Sequence, residues 1–214
     1  MDPAPDPKDP LVFSYLELRQ SVGAIGMLLP FVVSIGTILL SGPQMLSSIS
    51  SYYYSIMGDV FVGSLCAIGV FLWSYKGYDR RDAIAGNIAA FFAIGVALFP
   101  TEPDVVTSTT QTVIGHLHLL FAAGFFLTLA YFSLALFRKT SADKAPTRMK
   151  LIRNAVYTVA GYTILLSIAA IALMRFVPAD SAIQTFTPVF WFESIAIIAF
   201  GFSWIVKGEA ILKD

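Results

Sequence analysis

The sequence is poor in charged residues and nearly free of cysteine and histidine. Asp, Glu, Lys and Arg make up 13% of its 214 residues, roughly half of what is typical of soluble domains. A single cysteine, Cys66, excludes an intramolecular disulfide framework. Because the formal net charge is zero, no overall charge favours a nucleic-acid partner.

Residue shortages also exclude several classes of membrane protein. Two transmembrane haems with paired axial histidines would need four histidines, and the chain has only His116 and His118. The same shortage rules out a three-histidine zinc centre within one chain. A retinal Schiff base needs a lysine inside a span, and a voltage sensor needs a row of arginines there. The interiors of the apolar segments contain neither.

What the sequence does contain is a series of long apolar segments. Hydrophobic residues make up 57% of the chain, and the mean hydropathy is +0.73. A helix of about 20 apolar residues crosses the roughly 30 Å hydrocarbon core of a bilayer. We therefore predict an all-α polytopic membrane protein, built as a bundle of six transmembrane helices. The predicted spans are residues 21–40, 58–75, 83–100, 114–137, 154–176 and 188–206.

The placement of basic residues predicts the orientation of this bundle. Residues 1–10 are expected to form a disordered tail, residues 11–208 the membrane domain, and residues 209–214 a second tail. With six spans, all Lys and Arg residues except Arg175 fall on the side of both tails. Because cytoplasmic loops carry the excess of positive charge, both termini should be cytoplasmic. The basic run at 138–153 should then touch anionic lipid head groups instead of nucleic acid.

Ionisable residues in or beside the spans are candidates for a functional site. Such a side chain costs at least about 2.5–3.5 kcal/mol at the centre of a span. Glu193 lies within the sixth span and is the clearest case. We expect a polar cavity, open to the extracytoplasmic side, that is lined by residues of the outer half. The candidate lining residues are Asp59, His118, Glu193, His116, Ser50 and Glu102.

Each candidate also has an ordinary structural explanation. Asp59 can cap the second span and interact favourably with its helix dipole. Glu193 can be protonated and hydrogen-bonded to a neighbouring helix without any ligand. His116 can lie at the solvated interface, and the serines within residues 47–51 can serve as loop and cap residues. These explanations stay open at the level of sequence.

Helical geometry separates the two histidines. Residues at positions i and i+2 lie about 200° apart around a helix axis, so His116 and His118 cannot both face one metal ion. His118 lies deeper in the span and is the better candidate for the bundle interior. One histidine together with Asp59 and Glu193 could form a mixed carboxylate–imidazole site. Neither a metal nor a cofactor is identified by the sequence.

Several short motifs resemble a known family. They are Ser48-Ile49-Ser50, the segment GDVFVG at 58–63, and VALFPTEPD at 96–104, followed by a span that opens with a histidine. This pattern is similar to the bacterial membrane proteins grouped as "domain of unknown function 998", and more distantly to the DRAM/Frag-type six-span proteins of eukaryotes. The resemblance implies a six-helix bundle in a bacterial cytoplasmic membrane with a membrane-embedded polar site. The residues of this chain that match the family pattern are Ser50, Asp59, Pro100, Glu102 and either His116 or His118.

The leading hypothesis is a membrane protein that binds or modifies a lipid-like ligand in an outer-leaflet cavity. Asp59, His118 and Glu193 would line that cavity, with the histidine as a proton carrier near neutral pH. One alternative is a structural or interaction protein whose polar residues only join helices. Another is an ion- or proton-coupled transporter. Whether the protein is an enzyme, what small molecule or lipid it binds and its oligomeric state are not decided by the sequence.

Overall fold

The computed structural model describes residues 10–77, 79–140 and 145–212. Within these ranges the chain is helical and contains no strand, which confirms the all-α prediction. The α-helices are α1 (Pro10–Ser41), α2 (Gly58–Ser74), α3 (Arg80–Leu98), α4 (Thr109–Tyr131), α5 (Arg148–Met174) and α6 (Pro188–Lys207). Of the two predicted tails, residues 1–9 and 213–214 lie outside the described ranges.

Five of these helices are long and apolar enough to cross a membrane. They include α1, α3, α5 and α6, together with α4 and its continuation as one π-helical turn, Phe132–Leu136. The α2 helix is equally apolar but has 17 residues. The prediction of an integral membrane protein therefore agrees with the helices that form. Helix α1 is longer than the predicted span of 21–40, because the segment before that span joins it in one continuous helix of 32 residues.

The helices form a closed ring. Each helix packs against the next one along the chain, and α6 packs against α1. Successive helices run in opposite directions, as in the pair α3 and α4, where Gly95 packs against Phe121 and Gly124 against Phe92. We call the end where α2, α4 and α6 begin the upper end, and the opposite end the lower end.

Small residues allow the ring to close between α1 and α6. A Cβ atom added to Gly23 would lie 2.6 Å from the Gly201 carbonyl oxygen, and one added to Gly201 would lie 2.5 Å from the Gly23 carbonyl oxygen. Neither position can therefore carry a side chain without a shift of the backbone. Such close backbone approach favours helix association in membranes, where lipid supplies no hydrophobic force between helices.

The lower end is filled by aromatic and basic side chains. The buried Trp204 ring packs edge-on against Tyr75, with ring centroids 5.1 Å apart. Arg153 was expected to contact lipid head groups with the rest of the basic run at 138–153. It is instead buried, and its guanidinium donates a hydrogen bond to the Leu212 carbonyl oxygen at 3.2 Å. Part of the basic run is therefore structural.

Candidate functional site

The connection between α1 and α2 folds back over the start of α6. A carboxylate oxygen of Glu193 accepts a hydrogen bond from the Ile49 backbone N–H at 2.6 Å, and the Ser50 amide lies beside the same carboxylate. The Phe190 N–H donates to the Ser47 carbonyl oxygen at 3.0 Å. Among the described residues, Glu193 thus contacts backbone amides of this loop and no side chain of a neighbouring helix.

Tyr52 anchors this loop from within. Its ring is fully buried and packs against Phe190, with ring centroids 6.0 Å apart. Its hydroxyl accepts a hydrogen bond from the Leu46 N–H at 3.4 Å. Burial raises the pKa of the Tyr52 phenol, although the Leu46 hydrogen bond opposes this effect. The phenol is therefore neutral throughout the physiological pH range.

His118 is buried against the end of α3. Its Nδ1 lies 2.6 Å from the Phe99 carbonyl oxygen. Because a carbonyl oxygen only accepts, Nδ1 must carry the hydrogen, and in the neutral ring Nε2 then carries the lone pair. His116, two residues earlier, is exposed. The helical separation of the two histidines therefore agrees with the sequence prediction.

The loop after Pro100 lies directly on α4. A Cβ atom at Gly115 would approach the Glu102 Cβ to 2.8 Å and the Glu102 backbone nitrogen to 3.0 Å, so only glycine permits this contact. From the other side, the Tyr54 hydroxyl donates to the Thr101 carbonyl oxygen at 2.7 Å. Glu102 is consequently placed at the upper end of the bundle.

A cavity of about 540 Å³ lies between these loops and α4, α5 and α6. Its lining contains both polar and apolar residues. The polar part includes Ser50, Glu102, His118, Arg175, Gln184 and Glu193. The apolar part includes Leu119, Ala123, Phe126, Ile168, Ile171 and Ala172. The cavity therefore combines hydrogen-bonding groups with an apolar wall in the membrane domain.

Two of the predicted site residues do not reach this cavity. Asp59 is exposed in the first turn of α2, where the helix dipole favours its negative charge, and Met57 occupies the N-cap position. His116 is exposed on the opposite side of α4 from His118. Of the predicted site residues, Ser50, Glu102, His118 and Glu193 line one cavity, whereas Asp59 and His116 do not.

The mixed carboxylate–imidazole metal site is not formed. Within residues 10–77, 79–140 and 145–212, no three His, Cys, Asp or Glu side chains form a group that could bind a metal ion. The reason is the position of Asp59, which the α2 backbone directs away from the cavity that His118 and Glu193 line.

Arg175 is a lining residue that the sequence reasoning missed. It follows α5 directly as its C-cap residue and is exposed at the cavity. The available signal was its position as the exception to the charge bias of the Lys and Arg residues.

The serines form a small hydrogen-bonded cluster at the polar end. Ser48 Oγ lies 2.7 Å from Ser51 Oγ and also accepts from the Ser51 N–H at 3.0 Å. The Ser50 hydroxyl, in contrast, has no hydrogen-bond partner among the described residues although Ser50 is largely buried. Ser50 lines the cavity, so its hydroxyl can donate to and accept from a molecule there.

Comparison with known protein-family models, curated proteins and solved structures gives no match to this chain. The resemblance to the "domain of unknown function 998" proteins therefore remains a prediction from short motifs.

Replacement of Glu193 tests whether its carboxylate fixes the loop. Glu193→Leu leaves the Ile49 amide without an acceptor, which costs about 1–3 kcal/mol. Hydrogen exchange of the Ile49 and Ser50 amides should therefore accelerate about tenfold or more, measured by mass spectrometry on peptides that cover residues 46–53. Glu193→Gln keeps an acceptor oxygen and should retain most of the protection. Equal exchange in the wild type and Glu193→Leu would contradict this role.

Proposed function

We propose that this protein binds a lipid-like amphiphile in the cavity between α4, α5 and α6. The observation that carries the proposal is the lining of one cavity by two kinds of surface. Ser50 and His118 provide hydrogen-bonding groups for a polar head, and Phe126 and Ile168 provide an apolar wall for a hydrocarbon chain.

The size of the cavity supports a small-molecule ligand. Its volume of about 540 Å³ lies within the roughly 300–1,000 Å³ that is typical of ligand pockets. Ala123 and Ala172 line it and are also exposed, so the apolar wall is open toward the surface of the bundle. A ligand that diffuses in the bilayer could therefore enter from the side, with its chain still in contact with lipid.

The roles of the polar residues differ in this proposal. Glu193 is engaged by the Ile49 N–H and shapes the polar end by fixing the loop. His118 is oriented by the Phe99 carbonyl oxygen, which leaves Nε2 as a hydrogen-bond acceptor for the ligand. Ser50 adds a hydroxyl that no described residue engages. Together, these polar residues support recognition of a head group.

We further propose that α2 also crosses the membrane, which gives six spans and cytoplasmic termini. Its 17 residues correspond to about 26 Å, close to the roughly 30 Å of a hydrocarbon core, and a shorter span can be matched by local thinning of the bilayer. The bias of Lys and Arg toward the lower end supports a cytoplasmic location for that end. The cavity then opens in the outer leaflet of a bacterial cytoplasmic membrane.

Single-cysteine labelling tests this orientation. In a Cys66→Ser background, Thr107→Cys and Thr140→Cys place one thiol at each end, and both positions are exposed. A membrane-impermeant maleimide added to intact bacterial cells should label Thr107→Cys only, and permeabilised cells should show both. Labelling of Thr140→Cys in intact cells would contradict the orientation and leave the cavity unaffected.

Filling the cavity tests ligand binding. Ala172→Trp places a large side chain on the apolar wall, whereas Ala169→Trp introduces the same residue on the same helix at an exposed position that does not line the cavity. Native mass spectrometry of protein purified in mild detergent should show about tenfold less bound lipid for Ala172→Trp. Ala169→Trp should resemble the wild type. Equal lipid occupancy in both variants would contradict the proposed function.

A further inference from the structure

The charged side chains that line the cavity differ in their partners. Among the described lining residues, Arg175 is the one cation, and Glu102 and Glu193 are the carboxylates. Within the described ranges, the ion pairs are those of Lys139 with Asp79 and Asp82 at the lower end, so Arg175 takes part in none. Its guanidinium also makes no hydrogen bond to another described residue. A fork of N–H donors is thus available at the cavity.

The two carboxylates do not neutralise this guanidinium. Glu193 is engaged by the Ile49 amide, with the Ser50 amide beside it, so backbone donors of the loop occupy this carboxyl group. Glu102 is exposed, and its backbone packs against Gly115 of α4. Arg175 in turn belongs to the end of α5, where the negative end of the helix dipole favours a cation. The dipole explains why a cation is tolerated there, but it uses none of the N–H donors.

A guanidinium is suited to one class of head group. Its planar N–H fork matches the oxygens of a phosphate in a bidentate arrangement, and it is less strongly hydrated than an ammonium. The apolar wall of Phe126, Ile168 and Ile171 borders the same cavity. A ligand that uses both features carries a phosphate and at least one hydrocarbon chain.

We propose that the ligand is a phospholipid and that Arg175 selects it by binding the head-group phosphate. This inference rests on the proposed function, because it names the class of amphiphile that the cavity takes. Free phosphate would leave the apolar wall unused, and a neutral diacylglycerol would leave the guanidinium unused. Arg175 is accordingly a specificity-determining residue.

Binding of matched lipids tests the role of Arg175. Short-chain phosphatidylglycerol, diacylglycerol with the same chains, and inorganic phosphate are titrated separately into the purified protein in detergent. Bound lipid is counted by native mass spectrometry, and phosphate binding is measured by calorimetry. The wild type should bind phosphatidylglycerol about tenfold more tightly than diacylglycerol. Arg175→Gln should abolish this difference and leave the affinity for diacylglycerol unchanged.

Two further variants keep the test specific. Arg175→Lys retains the charge but not the planar fork, so it should restore part of the preference. Arg138→Gln removes an exposed arginine at the lower end and should bind both lipids as the wild type does.

The outcomes separate the two proposals. If wild type and Arg175→Gln prefer phosphatidylglycerol equally, Arg175 does not select the phosphate, and the proposed function stands without it. If inorganic phosphate binds as tightly as phosphatidylglycerol, the site is an anion site and the phospholipid assignment is overturned. If the wild type binds neither lipid, both the phospholipid assignment and the proposed function are wrong.

Discussion

The hydrogen bond from the Ile49 N–H to the Glu193 carboxylate is the contact on which the upper end of this protein depends. A carboxylate within a membrane span is costly unless polar partners meet it, and a loop that enters this region must satisfy its own backbone N–H groups. The loop amide provides a donor for the carboxylate, and the carboxylate provides an acceptor for the amide. The connection between α1 and α2 is thereby fixed over α6, and it forms the polar end of the cavity.

The two ends of the bundle are consequently different. At the lower end, the buried Trp204 and its aromatic neighbours fill the space between helices, and Arg153 binds a backbone carbonyl. At the upper end, the equivalent space is bordered by loops and by small residues such as Ala123 and Ala172. Close packing at Gly23 and Gly201 joins α1 to α6. Aromatic packing thus fills the lower end, whereas the cavity lies at the upper end.

Much of the fold follows from sequence, whereas the site follows only in part. Apolar length predicts each helix, because hydrocarbon thickness sets a simple length requirement. Helical periodicity also separates the buried His118 from the exposed His116. It does not indicate that Glu193 binds amides of a distant loop, since that pairing is a tertiary backbone contact. For the same reason the sequence does not show that Asp59 lies outside the cavity and that Arg175 lines it.

A density map of the protein in lipid nanodiscs tests the central claim most directly. We predict an elongated lipid density in the cavity between α4, α5 and α6. Its head group should lie at Arg175 and Ser50, and its chain should follow Phe126 and Ile168. A cavity closed by side chains of α4 and α5, with all lipid density on the outer surface of the bundle, would contradict the account.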